Sequence, residues 1–221
     1  AIRGGRSIAA AYDEAMRSSD ARYKVYLHDN ALILEPRLLY HLLDLFADPK
    51  IGMIGITGGT RIPKSGVWYH DALHSRGYFM RHGREVGIPF IWLPDWLNPK
   101  KIRPFRYLPV LGRYTPVACV DGVFMATQHD VPWRKDLFGG FIYYEGPQCL
   151  EFIKRGYEVV VARQKRPWVL HLDPKERTRE EDEAYHARFR EVMEVFRREY
   201  APFIGKHIDA IRRMVKQGLV H

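Results

Sequence analysis

The sequence predicts an α/β layered domain with a mostly parallel sheet, followed by a helical extension. Short apolar runs rich in β-branched residues alternate with stretches of 3.6-residue periodicity, in the order strand, helix, strand, helix, strand. Glycine and proline clusters separate them. From Arg177 onward the composition turns charged and the period stays helical. At 221 residues with 46% hydrophobic and 28% charged side chains, the chain suits one domain with an appendage, divided here as residues 1–175 and 176–221.

Ser7 stands where an N-cap belongs, ahead of a helix whose face repeats as Ile8, Tyr12, Ala15 and Met16. "SSD" ends it, and Tyr23 to Leu27 reads as a strand that stops at His28-Asp29-Asn30. Pro36 suits the first turn of the next helix, "RLLYHLLDLF", which runs to the turn "DPK". "IGMIGITGG" reads as a buried strand with glycines at its end. The middle of the chain, Pro63 to Pro132, holds most of its 14 prolines and reads as loop-rich. "VACVDGVFMAT" is a further buried strand, "PQCLEFIKRG" a helix closed by Gly156, and "YEVVVA" another strand. In the extension, Tyr185, Phe189, Val192, Phe196 and Tyr200 share one helical stripe, and Ile204, Ile208, Ile211 and Val215 share another. These read as packing helices. Their basic residues also leave room for a peripheral membrane contact, and their stripes for a homo-oligomer face.

A net charge of +9 favours anionic partners without choosing among them. Two cysteines are too few for a disulfide scaffold or a cysteine zinc site, which points to a reducing, cytoplasmic setting. No apolar run approaches the length of a spanning helix.

Ligands of open α/β sheets gather at the carboxyl ends of strands, so His28, Asp29 and Asn30 are the first site candidates. "GGTRIPKS" resembles a phosphate loop only superficially, because Pro63 replaces the second glycine and has no N–H to offer. A strand-end turn in which Gly58 and Gly59 let a ligand approach the backbone is the better reading. Between Asp95 and Asp121 no acid intervenes, while Lys100, Lys101, Arg103, Arg106 and Arg113 alternate with Phe105, Tyr107 and Tyr114. That span reads as an irregular loop, either plainly solvated, or meeting a phosphorylated substrate, or gripping single-stranded nucleic acid. Glu145 precedes a helix, where it either complements the helix dipole or faces a cleft as a base. His171 follows a short apolar run and by itself reads more readily as a core histidine than as a ligand.

Taken in order, "SIAAAYDEAM", "YKVYLHDNALI", "IGMIGITGG", "SGVWYH" and "VDGVFMATQHDVPWRKDLFGGFIYYEGPQCLEFIKRGYEVVVARQKRPWVLH" carry a resemblance over about residues 5 to 175. The chain resembles the bacterial glycosyltransferase-like family related to the streptomycin-cluster sugar transferases, within the inverting family 2 glycosyltransferases of GT-A fold. The resemblance implies a GT-A domain lacking its first strand and helix. It also implies a nucleotide-diphosphate sugar as donor, an acceptor hydroxyl, and Mg²⁺ or Mn²⁺ on the donor diphosphate. By residue, it puts His28, Asp29, Asn30, Gly58, Gly59, Asp121, Gly122 and Trp168 at the donor. Asp29, Asn30 and His171 fall at the metal, with Asn30 where the family usually has Asp. Glu145 is the implied catalytic base, and Ile142 stands where relatives have His. Trp68, Trp133 and Trp168 are available as sugar-stacking walls, although each alone reads as core or rim. Two other readings remain: a non-catalytic GT-A-like domain that binds sugar or nucleotide, and, less favoured, a nucleic-acid-binding module, with no specific nucleic acid expected.

Overall fold

A computed structural model of the chain describes residues 7–82, 102–172 and 178–220. Lys100, Lys101 and Arg177 lie outside the described residues.

Helix α1 (Ile8–Arg17) starts at Ser7, whose hydroxyl accepts from the Ala10 amide at 3.1 Å. Its buried Asp13 takes Arg17, Lys135 and the amide of Trp133, so a charge inside the helix face is paired from three sides. Strands β1 (Lys24–Leu27) and β2 (Ala31–Ile33) flank the His28–Asn30 turn. Helix α2 (Leu38–Phe46) then leads to β3 (Ile51–Gly55) and β4 (Thr57–Gly59). After two short 3₁₀ turns come β5 (Ser75–His82), β6 (Ile102–Arg106), β7 (Tyr114–Pro116), β8 (Cys119–Val120) and β9 (Phe124–Thr127). Helix α3 (Glu145–Lys154), β10 (Glu158–Ala162) and β11 (Val169–Leu172) complete the layered part. Helices α4 (Arg179–Glu199) and α5 (Ile208–Lys216) follow.

The main sheet runs β1-β9-β3-β10-β7, and a second path runs β2-β11-β5-β4-β8 with β6 on β5. The result is a mixed α/β fold of GT-A type with helices on its flanks. The expected parallel majority is not there. Among the described residues only β3–β10 and β5–β11 pair in parallel, and the other seven pairings are antiparallel. Helices cover both faces of the central strands, so β3, β9 apart from Thr127, and β10 after Glu158 are apolar runs. That pattern is common in parallel sheets but does not encode strand direction. The proline-rich span also differs from its reading as loop. Ile102–Arg106 is a strand at the free side of β5, and Pro104 is tolerated there because an edge strand can spare an N–H.

The main sheet separates two cores, and the twofold period of its strands sorts residues between them. Val159, Val161, Met53 and Met125 face α3, whereas Val160, Ala162, Ile54, Phe124 and Ala126 face α2. The stripe residues Val192, Phe196, Tyr200, Ile208 and Ile211 join the α3-side core, so most of the extension's apolar face is spent within the chain. Backbone bonds fasten it further: the amide of Ile62 donates to Lys206, that of Gly205 to Ile62, and that of Ile208 to Thr60. Among the described residues no helix is long and apolar enough to cross a membrane.

Candidate active site

Three chain segments meet at the carboxyl end of β1. The amide of His28 donates to the Val123 carbonyl at 3.2 Å, which sets the end of β1 beside the β8–β9 turn. In that turn Asp121 accepts from the Val123 amide at 2.8 Å. Tyr144, the residue before α3, sends its hydroxyl to the Gly122 carbonyl at 3.2 Å and stands 2.7 Å from Nε2 of His28. The phenol oxygen thus bridges the Gly122 carbonyl and Nε2 of His28. Nδ1 of the same ring faces Nε2 of His171 at 3.5 Å. Gly122 is required here: a Cβ would lie 2.5 Å from the Tyr144 hydroxyl.

The charges in this pocket are perturbed together. Burial pushes the His28 pKa down, against the opposing pull of Asp121 and Asp29, so the imidazole tends to neutrality. Burial likewise pushes Asp121 up, with its Val123 hydrogen bond, His28 and Arg81 acting the other way. Glu145, the first residue of α3, is raised to about 8 by burial and then by the negative charge of Asp121. A helix N-terminus ordinarily favours a carboxylate, and here desolvation outweighs it.

Tyrosines frame this cluster. Tyr12 donates to the Leu27 carbonyl at 3.2 Å and sets its ring edge-on to Tyr144. Burial pushes its pKa up to about 12. Tyr69 and Tyr107 are raised as well, mainly by burial, and both sense the charge of Asp121. Tyr143 holds a left-handed backbone (φ 53°), which is unusual for a bulky residue. Its hydroxyl donates to the Gly66 carbonyl and its ring packs on Phe196, so tertiary contacts secure the strained joint just ahead of Glu145.

The sequence candidates fall into two groups. His28, Asp121, Gly122, Glu145 and His171 come together at this edge. Asp29 is exposed on the turn. Asn30 acts as a clasp, its side-chain amide donating to the Leu172 carbonyl at 2.6 Å while its own carbonyl accepts from the Leu172 amide at 2.8 Å. Gly58 and Gly59 serve close packing rather than an open ligand approach. A Cβ on Gly58 would strike the Cys119 carbonyl, and one on Gly59 would sit 3.0 Å from Cβ of Trp68. Trp168 is buried, stacked on His41, and its amide donates to Gln164. Trp68 and Trp133 are buried too, so all three indoles pack mainly into the interior. Tyr69 and Arg81 were missed, and Tyr12, Tyr107 and Tyr144 had no role assigned at this edge. Only "FIYYEG", with paired tyrosines directly before the acid, carried a local signal.

The residues put forward for a divalent ion do not form a ready cage. Asp29 is exposed on the turn, Asn30 is drawn to Leu172 through its Nδ2, and Nε2 of His171 faces the His28 ring at 3.5 Å. Among the described residues no group of three or more His, Cys, Asp or Glu side chains is placed to hold a metal.

A sequence profile described as a glycosyltransferase-like family matches residues 1–193. No curated protein matches the chain.

Proposed function

The chain belongs to the glycosyltransferase-like family, and from that premise we propose that it moves a sugar from a nucleotide-diphosphate donor to an acceptor hydroxyl with inversion. The observation that carries the reading is Glu145, a carboxyl at the head of α3 with a pKa near 8, facing Asp121 beside the end of β1. A general base works best when its pKa lies near the working pH. In the proposed step Glu145 accepts the acceptor's hydroxyl proton as that oxygen bonds to the anomeric carbon. The carbon–oxygen bond to the diphosphate breaks on the opposite face, and the nucleoside diphosphate leaves with the electron pair. Arg81, which acts on Asp121 and Tyr107 as a positive charge, supports an anionic substrate here. Because the expected Mg²⁺ or Mn²⁺ has no cage among the described residues, no step is drawn through it.

The test is Glu145→Gln. The variant is expected to bind a nucleotide sugar as the wild type does and to lose transfer by about 10²- to 10⁴-fold. Unchanged turnover would remove Glu145 from the role. The commitment of Asn30 to Leu172 favours a second reading, a domain that binds the sugar nucleotide without turning it over. Sugar transfer by the wild-type protein excludes it.

A further inference from the structure

Two cavities of about 500 Å³ each lie along the loop that leaves β10, and Gly112, Arg163 and Lys165 line both. The first is bounded by Tyr78, Arg106, Tyr107 and the apolar run Leu108 to Leu111. The second adds Arg113, Arg166 and Trp168, with Glu35 and Asp44 as its only acids. Both acids have cationic neighbours: Asp44 binds Arg113 at 2.7 Å, and Glu35 lies 3.8 Å from His41. The side chains of Arg163, Lys165 and Arg166 are exposed and enter no ion pair among the described residues.

This cationic loop is built rather than loose. Gln164 donates to the carbonyls of Ile56 and Tyr78 and accepts from the amide of Trp168, so one side chain ties the loop to the β3–β4 joint, to β5 and to its own return. The amide of Arg163 donates to the Arg113 carbonyl at 2.9 Å, which couples the two basic segments. The Arg106 guanidinium carbon sits over the Tyr78 ring at 4.6 Å from its centroid, a cation–π contact. Like charges held close on a pinned loop repel one another, and an anionic ligand relieves that repulsion.

We propose that this cleft binds an acidic oligosaccharide, the carboxylate- or phosphate-bearing stretch of the acceptor whose hydroxyl is glycosylated at the Glu145 edge. The proposal rests on the glycosyl-transfer reading above. Its chemistry follows from the lining, where cations alternate with apolar and aromatic surface, including Leu108 at 42% exposed and Leu111 at 78% exposed. A sugar chain offers apolar ring faces and anionic substituents in such alternation. Tyr107 joins the cleft to the site, since it lines the first cavity, packs on Trp68 and senses the charge of Asp121.

The experiment is titration calorimetry of the full chain with hexagalacturonate, neutral maltohexaose, a single-stranded RNA hexamer and uridine diphosphate. Hexagalacturonate is expected to bind at least about tenfold more tightly than maltohexaose, with affinity that falls as salt rises. The exposed double variant Arg163→Ala/Lys165→Ala is expected to lose at least about tenfold in hexagalacturonate affinity and nothing in uridine diphosphate affinity. Five results overturn the cleft: no binding of hexagalacturonate, equal binding of the two hexasaccharides, undiminished hexagalacturonate binding by the variant, loss of uridine diphosphate in the variant, or tighter binding of the RNA. Because none of these readouts needs turnover, a protein that binds the acidic glycan yet transfers no sugar refutes only the activity. One that transfers sugar while the variant binds glycan like the wild type refutes only the cleft.

Discussion

Tyr144 and His28, 116 residues apart in the chain, share a 2.7 Å hydrogen bond that fastens the approach to α3 onto the end of β1. The same phenol also reaches Gly122, so one hydroxyl holds together the three segments that carry His28, Asp121 and Glu145.

Removing that hydroxyl should loosen the site without emptying it. Tyr144→Phe leaves a ring nitrogen of His28 and the carbonyl of Gly122 without their shared partner, at a cost of about 1–3 kcal/mol in stability. Donor affinity is expected to hold while kcat falls. A kcat equal to wild type in steady-state kinetics would show that Tyr144 does not position Glu145.

Glu145 should dominate the acid limb of the pH profile. With its pKa near 8, the base form is scarce at pH 6 and nearly complete at pH 9. The value of kcat/KM is expected to rise about tenfold per pH unit below 8 and level off above it, and Glu145→Gln should abolish this limb.

The same shift sets a stability trend of opposite sense. Between the ordinary carboxylate range and pH 8 the folded chain holds a proton at Glu145 that the unfolded chain has released, so stability falls as pH rises across that window. Glu145→Gln, which has no such proton to lose, should gain on the wild type in denaturant midpoint as pH is raised from 5 to 9. Parallel midpoints across that range would show that the side chain is not desolvated.

Divalent ions should act weakly on donor binding. Calorimetry of uridine diphosphate with and without Mn²⁺ is expected to show less than about a tenfold difference, because among the described residues no three His, Cys, Asp or Glu side chains are grouped to hold a cation. Asn30→Asp would exchange the amide donor for a carboxylate facing the Leu172 carbonyl, destabilising the chain by about 1–3 kcal/mol. A gain in stability from that change without metal would refute the clasp.

Gly77 tests the close seam between β5 and the main sheet. Its φ is +89°, and an added Cβ would run into the Ile56 carbonyl. Gly77→Ala is expected to cost about 2–4 kcal/mol, read as a lowered Tm.

Helices were the legible part of the fold, because a cap such as Ser7 and a 3.6 period are local. Strand direction was not, since Val159 to Ala162 would be equally apolar beside a parallel or an antiparallel neighbour. The tryptophans were ambiguous for a related reason: an indole suits a sugar wall or a core, and although core was the better reading for each, only the neighbours of Trp68, Trp133 and Trp168 decide. For the site, strand-end placement drew attention to His28, and the acid before a helix drew attention to Glu145. The bond from Tyr144 to His28 has no sequence signature, because its two partners lie in segments that meet only in space.

The fastening of residues 205–208 onto Thr60 and Ile62 bears on how the polypeptide matures during synthesis. Strands β1 and β3 must wait for β9 and β10, about 100 residues later, and the core they form is then closed by α4 and α5. Such non-local pairing is slow to form. Most of the layered part therefore leaves the ribosome before the elements that seal it, with apolar strands open to misassociation until α5 emerges.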